Sequence, residues 1–341
     1  MAEALFLHGP RDARVGPFNL REGRPGEVLL DVAAVGICGS DLHYYKDGGI
    51  GGAVIRGPFV PGHEFGGYLC NDVPALGLPR GALVAVDPNI ACGRCEWCRE
   101  GYFNLCPNVA FFGAPPFDGA MTSQIWVPTS QIVKLPPALT PLDAVMLEPL
   151  GVAMHAVDLA KPQLLERVAV LGAGPIGLLI LQALKVAGAG EVYVVEPQAH
   201  RREMATRLGA AAAGETVVDV AGWSDGKGFS LVVEATNNPL GFGDAVRAAR
   251  IGGRIVLVGI PDGDIYTLPA AEARRRGLKI KFSRRMVDAY PRATELVATR
   301  RVDVASVVTH RIDLAASPEM FRALADGEPG LGKALIYPNG Q

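Results

Sequence analysis

The 341-residue sequence predicts an α/β protein of two domains, one mostly β and one built on a doubly wound parallel sheet. A chain of this length exceeds a single core of ordinary size. Between residue 27 and about residue 135, short β-branched runs alternate with Gly/Pro turns, a pattern typical of β structure. From Val168 onward, strand-like apolar runs alternate with helical runs, which favours a parallel sheet covered by helices.

The individual elements follow from the same periodicities. In the first part, the runs EVLLDVAAVG and GALVAVDPN predict strands. In the second, strands are predicted at VAVLGAG, EVYVVE, LVVEAT and RIVLVGI, and helices at IGLLILQALKVAGA and in the segment ending at Leu208. After Lys281, PRATELVATRRV and PEMFRALADG predict two helices and KALIYP a last strand. This tail is too small to fold alone, so we expect it to complete the first domain.

The charge balance narrows the classes of partner. The chain carries 33 basic and 35 acidic residues, a net charge of -2, without a long run of either sign. Nucleic acid and anionic membrane surfaces are therefore not expected partners. The start of the chain carries Glu3 where a signal peptide would have basic residues, so we expect a cytoplasmic protein.

A glycine-rich turn follows the first strand of the second part. Gly172, Gly174 and Gly177 form G-x-G-x-x-G between a strand and a helix, an arrangement that lets backbone amides approach a pyrophosphate. Glu196 ends the next strand, near the spacing of about 20 residues expected for the acid that holds the ribose hydroxyls. Because a carboxylate repels a 2′-phosphate, the sequence predicts NAD rather than NADP. The alternative is a tight βα turn without a ligand.

Four of the six cysteines lie close together, at Cys92, Cys95, Cys98 and Cys106. Four thiolates on one loop suit a single tetrahedral zinc ion. Since protein atoms would fill all four positions, this zinc is expected to be structural. An iron–sulfur cluster also requires four cysteines and is the alternative interpretation.

A second group of metal-ligating residue types is spread along the chain, at Cys38, His63, Glu64 and Glu148. Taken singly, a cysteine is usually a small buried hydrophobe and a histidine a surface or core group. Together, a cysteine, a histidine and a carboxylate match a catalytic zinc with three protein ligands and an open fourth position.

Several runs together resemble a known family. GICGSDLHYY, GHEFGG, the four-cysteine loop, EPLGVAMHA and GAGPIG, in this order, resemble the zinc-dependent medium-chain dehydrogenase/reductase superfamily. The run GICGSDLHYYKDGGIGG with PGHE, APPFDG and EPL resembles its polyol branch, typified by sorbitol, xylitol and L-idonate dehydrogenases. The resemblance implies a GroES-like zinc catalytic domain from residues 1–147 and 284–341 and an inserted NAD-binding Rossmann domain from residues 148–283. It also implies a homo-oligomer, either a tetramer or a dimer.

The resemblance also implies roles for individual residues. The catalytic zinc ligands would be Cys38, His63 and Glu64, with Glu148 as a ligand or as a partner through water. Asp41 would orient His63. Ser40 and His43 would carry the alcohol proton to solvent, with Glu148 as a further catalytic residue. The residues implied for substrate binding are Tyr44, Phe111, Glu148 and Arg285. Those implied for the cofactor are Gly172, Gly174, Pro175, Ile176, Gly177, Glu196, Arg201, Val258, Gly259, Ile260, Arg284, Arg285 and Met286.

The implied activity is oxidation of a secondary hydroxyl of a sugar alcohol or sugar acid to a ketone, with hydride transfer to NAD and two zinc ions per chain. Two positions depart from sorbitol dehydrogenases, because Met286 replaces a tyrosine and Ala114 a threonine. Both changes remove a hydroxyl from the expected pocket, which leaves the particular polyol open. An L-threonine 3-dehydrogenase-like enzyme and a zinc-stabilised, NAD-sensing binding protein are the alternatives.

Overall fold

A computed structural model describes residues 2–263 and 265–340 of the chain. In chain order its strands are β1 (Ala2–Gly9), β2 (Asp12–Phe18), β3 (Glu27–Gly36), β4 (Gly49–Ile50), β5 (Ala53–Val54), β6 (Glu64–Leu69), β7 (Leu83–Val86), β8 (Asn89–Ile90), β9 (Ala110–Phe111), β10 (Gln124–Pro128), β11 (Ile132–Lys134), β12 (Val168–Leu171), β13 (Val192–Val195), β14 (Ala212–Gly214), β15 (Phe229–Glu234), β16 (Ala249–Leu257), β17 (Lys279–Phe282), β18 (Val308–Asp313) and β19 (Lys333–Tyr337).

The helices are α1 (Gly39–Asp47), α2 (Glu96–Arg99), α3 (Pro141–Ala160), α4 (Pro175–Val186), α5 (Ala199–Arg207), α6 (Asp219–Trp223), α7 (Gly241–Ala248), α8 (Ala270–Arg275), α9 (Tyr290–Ala298) and α10 (Ser317–Ala325). No helix in the described ranges is both long enough and apolar enough to cross a membrane.

The chain divides into two compact units. The second unit comprises Pro149–Ala289 and Thr299–Val307, and the first comprises the other described residues. One division falls inside α3, between Glu148 and Pro149. Each unit has its own apolar core, as expected for a chain of this length.

The first unit is built on a seven-stranded sheet. Its strands follow the order β11-β7-β6-β3-β19-β18, and β10 pairs with β3 as well. The strand β3 occupies the predicted run EVLLDVAAVG, and its inner residues are buried together with Phe65 of β6 and Met121. The last strand, β19, pairs antiparallel with β3 through Leu335 and Ile336. The carboxyl-terminal segment is therefore part of the sheet that carries the amino-terminal strands.

The second unit is built on six parallel strands in the order β14-β13-β12-β15-β16-β17. All four residues of β12 and of β13 are buried, as expected for parallel strands covered on both faces. Numbered within the sheet, this order is 3-2-1-4-5-6, the arrangement of dinucleotide-binding folds. The strand order reverses between β12 and β15, and such a reversal forms the crevice where these folds bind ligands. The predicted α/β fold class is confirmed.

The unit boundaries differ in part from the predicted domain limits. Residues 284–289 and 299–307 were assigned to the first domain by the sequence, but in the structure they cluster with the second unit. The side-chain amide of Gln182 on α4 explains why residues 299–307 cluster with the second unit. It donates to the Asp303 carbonyl at 3.1 Å and accepts from the Asp303 N–H at 2.7 Å. A buried polar residue in a mostly apolar helix thus holds a distant segment that local periodicity does not reveal.

Candidate active site

The first potential metal ligand, Cys38, lies between the end of β3 and the start of α1. The buried carboxylate of Asp41 in the first turn of α1 accepts from the Cys38 backbone N–H at 2.9 Å. Its other oxygen accepts from the Gly62 N–H at 3.2 Å. Asp41 therefore joins the loop before His63 to the start of α1 and fixes the backbone beside both potential ligands.

The predicted orientation of His63 by Asp41 takes a different form in the structure. The His63 Nδ1 atom lies 3.7 Å from Asp41 Oδ1, which is beyond hydrogen-bond distance. Among the described residues this buried nitrogen has no hydrogen-bond partner. Asp41 consequently acts on His63 through the backbone of Gly62, and through charge at a longer distance, rather than by a direct hydrogen bond.

Three of the four spread-out candidates come together as one donor group. One ligand atom each of Cys38, His63 and Glu64 lies within 4.8 Å of the others. A soft thiolate, an imidazole nitrogen and a carboxylate oxygen are the donors that zinc accepts, and three of them leave a fourth position open. Within the described chain Glu148 lies outside this group, although it is buried nearby and interacts with the charges of Cys38 and Glu64.

The electrostatics of this group favour a cation. Burial and the charge of Glu64 raise the pKa of the Cys38 thiol to about 12. Burial, opposed by His63 but reinforced by the negative charge of Glu64, raises the pKa of Glu148 to about 8. Acidic groups crowded in a buried space cost free energy unless a positive charge compensates them. The residues present therefore fit a divalent metal ion.

The two residues predicted for proton transfer lie on α1, within the first unit. Ser40 and His43 are separated by about one helical turn, and His43 is buried. The His43 Nδ1 atom lies 3.3 Å from a carboxylate oxygen of Asp47, four residues further on, and the Asp47 side chain is about half exposed. One face of α1 thus carries the partly buried Ser40, the buried His43 and the half-exposed Asp47.

The residues predicted to bind substrate are divided between the units. Tyr44 and Phe111 are buried in the first unit, where the Phe111 ring centroid lies 5.5 Å from that of His63. Tyr44 packs edge-on against Phe59 at 5.7 Å. Arg285 belongs to the second unit and has the left-handed φ of 52°, which is uncommon for a residue with a side chain.

The four clustered cysteines converge in the loop around α2. One sulfur from each of Cys92, Cys95, Cys98 and Cys106 lies within 4.8 Å of the others, and none is in a disulfide among the described residues. Three of the sulfur–sulfur distances are 3.4, 3.9 and 4.0 Å. Four sulfurs at about 2.3 Å from a tetrahedral zinc would be about 3.8 Å apart, so the group fits such an ion.

The protonation of these thiols also suits a metal. Backbone N–H groups of Arg94 and Cys95 lower the pKa of the Cys92 thiol to about 6, so it is largely a thiolate at neutral pH. Burial and neighbouring sulfurs raise the pKa of Cys98 to about 12. Metal binding at this loop is therefore expected to release protons.

The predicted glycine loop lies at the reversal point of the parallel sheet. Gly172 directly follows β12 and has a φ of 96°, and a Cβ added there would lie 2.7 Å from the Ala235 carbonyl oxygen. Gly174 caps α4, and Pro175 and Ile176 occupy its first turn. A Cβ on Gly177 would collide with the Gly172 carbonyl, so this position requires glycine for close packing of helix on strand. The glycine loop and the N-terminus of α4 therefore have the backbone arrangement that binds an anionic ligand.

Glu196 is held in place at the end of β13. Its two carboxylate oxygens accept from the Ala173 N–H and the Gln198 N–H, both at 2.9 Å. The Arg202 guanidinium donates to the carbonyls of Glu196 and Pro197 rather than to the carboxylate. A buried acid directly beside the glycine loop is therefore fixed by the backbone.

The remaining cofactor candidates also lie in the second unit. The N–H groups of Val258 and Gly259 donate to the Glu234 carbonyl at 2.8 and 3.3 Å. These two bonds hold the segment that follows β16 beside the end of β15. Ile260 is partly exposed, and Met286 is buried against Gly151. Arg201 lies on α5 close to Glu196 in sequence, and Arg284 precedes Arg285.

Sequence reasoning missed two residues at the metal group and a buried tyrosine elsewhere in the first unit. Lys333, the first residue of β19, is buried and forms an ion pair with Glu64. Gly36 faces this pair, and Tyr290 is buried with its hydroxyl donating to the Val86 carbonyl at 2.8 Å. A lysine beginning an otherwise apolar strand was the available signal, since lysine is almost never buried unless paired.

A mostly β unit with a Cys/His/Glu group and a second unit with a dinucleotide-binding loop together define a metal-dependent dehydrogenase. Residues 24–137 match the alcohol dehydrogenase GroES-like domain, and residues 175–299 match the zinc-binding dehydrogenase family. The chain belongs to the zinc-dependent medium-chain dehydrogenase/reductase superfamily, in its polyol branch, and is an oxidoreductase.

Individual relatives agree with this placement. The chain is 33% identical over 348 residues to a sorbitol dehydrogenase of Bacillus subtilis strain 168, and the alignment covers 99% of this chain and 97% of the relative. It is 26% identical to the solved L-idonate 5-dehydrogenase of Escherichia coli K-12 MG1655, with a TM-score of 0.88 and 98% of both chains covered. A structure described as a short chain alcohol dehydrogenase of Escherichia coli CFT073, complexed with NADH, is 27% identical, with a TM-score of 0.88 and 98% and 99% coverage.

Proposed function

We propose that this enzyme oxidises a secondary hydroxyl of a sugar alcohol or sugar acid to a ketone, with zinc as the catalytic metal and NAD as the hydride acceptor. The observation that carries the proposal is the convergence of Cys38, His63 and Glu64 into one buried donor group. The relatedness to a sorbitol dehydrogenase over nearly the whole chain supports the substrate class.

The division of labour follows from the chemistry of the two groups. When bound, zinc supplies a Lewis acid that lowers the pKa of the substrate hydroxyl, and NAD supplies the electrophile that takes up hydride. Cys38, His63 and Glu64 would hold the metal, and Asp41 keeps the backbone of Cys38 and Gly62 in place. Tyr44 and Phe111 provide apolar surface that excludes water around the group. Glu148 provides a buried carboxyl group able to form a hydrogen bond with a second substrate hydroxyl.

The proton lost by the substrate hydroxyl needs a path to water. We assign this path to Ser40 and then to His43, whose ring nitrogen lies 3.3 Å from Asp47. The half-exposed Asp47 carboxylate would accept the proton from His43 and release it to solvent.

Replacing His43 by alanine should lower kcat for polyol oxidation by about 10²-fold, because general acid–base steps contribute about 10²- to 10⁴-fold. Added imidazole should restore part of the lost rate, since a small base can replace the missing ring. Steady-state rates measured at several imidazole concentrations test this. The exposed His8 supplies the matched control, and His8→Ala should keep the full rate. An unchanged rate in His43→Ala would exclude the relay.

The choice of NAD is supported by Glu196, whose fixed carboxylate would accept from a ribose hydroxyl and repel a 2′-phosphate. The Glu196→Gln variant should lower the NAD⁺ to NADP⁺ ratio of kcat/KM by about 10- to 100-fold, which corresponds to about 1.4 to 2.8 kcal/mol. Initial rates with both cofactors provide the measurement. The exposed Glu203 on α5 provides the control Glu203→Gln, which should leave the ratio unchanged. Equal ratios in Glu196→Gln and the unmodified enzyme would contradict the assignment.

A second zinc ion, with a structural role, is proposed at Cys92, Cys95, Cys98 and Cys106. Its support is the sulfur spacing, which matches a closed tetrahedral site. We also propose a tetramer or dimer. Support for association comes from the terminal strand β17 of the parallel sheet, where the Phe282 side chain is largely exposed.

The substrate proposal is tested by initial rates with a panel of sugar alcohols, aldonates and L-threonine against NAD⁺ and NADP⁺, with and without a chelator. The proposal predicts NAD⁺-dependent, chelator-sensitive oxidation of at least one polyol or aldonate. Because Met286 and Ala114 lack the hydroxyls found in sorbitol dehydrogenases, sorbitol should not be the best substrate of the panel. Turnover of L-threonine alone would favour the threonine dehydrogenase alternative.

A further inference from the structure

Lys333 is a buried lysine beside the potential metal ligand Glu64. Its side chain is 2% exposed and that of Glu64 is 1% exposed. The ammonium contacts Glu64 Oε2 and donates to the Ile37 carbonyl oxygen at 3.0 Å. The ammonium and the carboxylate therefore face each other in a space closed to solvent.

The position of Lys333 is set by the sheet. It is the first residue of β19, and the next residues of that strand pair with β3 at Gly36 and Val35. Glu64 pairs with Gly36 from the other side, at the start of β6. Three neighbouring strands therefore bring a lysine and a glutamate together across 269 residues of sequence.

Gly36 leaves the space that the pair occupies. A Cβ added at this position would collide with Glu64 Oε2 and would lie 3.1 Å from both Cε and Nζ of Lys333. The backbone of Gly36 is that of an ordinary extended strand, so glycine is required here for space and not for its conformation. The ion pair thus depends on Lys333, on Glu64 and on a glycine at position 36.

The carboxylate of Glu64 takes part in two different interactions. Lys333 engages Oε2, while the same carboxylate belongs to the donor group with Cys38 and His63. A carboxylate held at one oxygen can turn only slightly, which leaves its other oxygen available as a metal ligand. Glu148, which carries the same chemical group, lies outside the donor group within the described chain.

We propose that Lys333 is a positioning residue for the catalytic metal, which fixes the Glu64 carboxylate so that Glu64, and not Glu148, is the carboxylate ligand. This inference rests on the proposed zinc site. The lysine touches neither substrate nor cofactor in this role. It acts only through Glu64, as a residue behind a metal ligand commonly does.

The Lys333→Met variant should lose zinc affinity at the Cys38 site by about 10- to 100-fold, the range typical of partners behind metal ligands. Zinc binding is measured by competition with a chromophoric chelator, and the four-cysteine site is the internal reference. Lys333→Arg should restore most of the affinity, because it keeps the charge. The visible absorption of enzyme loaded with cobalt(II) at the Cys38 site should change in Lys333→Met and remain similar in Lys333→Arg, since it reports the ligand set.

A double-variant comparison separates positioning from a merely structural role. Lys333→Met should weaken zinc binding strongly in the native background and by less than about threefold in the Glu64→Gln background, because the interaction is shared. If Lys333→Met alone does not fold, the comparison of Glu64→Gln with Glu64→Gln/Lys333→Met remains, since removing both charges avoids an unpaired buried one. The exposed first residue of β17 gives the control Lys279→Met, which should bind zinc normally.

Each outcome decides between the proposals. Unchanged zinc affinity and cobalt spectrum in Lys333→Met would overturn the positioning role while leaving the zinc site intact. An equal loss of affinity with and without Glu64 would also overturn it, because Lys333 would then act by another route. If the unmodified enzyme bound only one zinc ion per chain, at the four cysteines, the proposed catalytic site and the positioning role would both be wrong.

Discussion

Replacing Cys38 by serine should remove the metal from the Cys38/His63/Glu64 group and lower kcat/KM for polyol oxidation by about 10³-fold or more. A thiolate is a far better zinc ligand than a serine hydroxyl, which is not ionised at neutral pH. A Lewis acid contributes several kcal/mol to the reaction, and each 1.36 kcal/mol is a factor of ten in rate. Zinc content by mass spectrometry and initial rates of NADH formation provide the two measurements.

Cys70 supplies the matched control for this substitution. It is a partly buried cysteine of the first unit that lies outside the two cysteine-containing groups of potential metal ligands in the described chain. Cys70→Ser should retain two zinc ions and nearly full activity, whereas Cys38→Ser should retain only the zinc at the four cysteines. A Cys38→Ser enzyme with both zinc ions and normal turnover would contradict the assignment of the site.

Replacing Cys98 by serine should remove the other zinc and destabilise the loop around α2. Zinc contributes about 10 to 16 kcal/mol to the folding of isolated zinc-finger peptides. Even a quarter of the lower figure, about 2.5 kcal/mol, would lower the melting temperature of a cooperative unit of about 150–250 residues by roughly 5–10 °C. Calorimetry and limited proteolysis between residues 88 and 112 test this expectation.

The same preparation distinguishes zinc from an iron–sulfur cluster at the four cysteines. The unmodified chain should contain zinc and no iron, and Cys98→Ser should lose one zinc ion while Cys70→Ser loses none. New cleavage should appear only in Cys98→Ser, because exposed Trp97 and Tyr102 flank the site that would lose its order. Iron in the unmodified chain, or an unchanged melting temperature in Cys98→Ser, would contradict a structural zinc.

The features that the sequence reveals most directly are those encoded in short segments. The four cysteines lie within one loop, and the three glycines lie within one βα turn, so their spacing alone predicts what the structure brings together. The alternation of strands and helices after Val168 predicts the parallel sheet for the same reason, because buried parallel strands leave continuous apolar runs.

Features that depend on distant pairing were not visible in the sequence. Lys333 meets Glu64 only because β19 is inserted beside β3, and a strand's partner is not encoded in its local pattern. The helix α1 also escaped prediction, since its residues GSDLHYYKD show no regular apolar face and its start depends on the Asp41 carboxylate. The proposal of Glu64 rather than Glu148 as the ligand rests on their positions around Cys38 and His63, which the sequence does not give.

Zinc content and polyol oxidation, measured together on one preparation, test the assignment of Cys38, His63 and Glu64 most directly. Dialysis against a chelator should lower zinc from two ions to one per chain, because the open site releases its metal more readily than the closed four-cysteine site. Activity should disappear in proportion to this loss and return when the second equivalent of zinc is restored. Full NAD⁺-dependent oxidation of a polyol by a chain that holds a single zinc ion would contradict the catalytic role of this site.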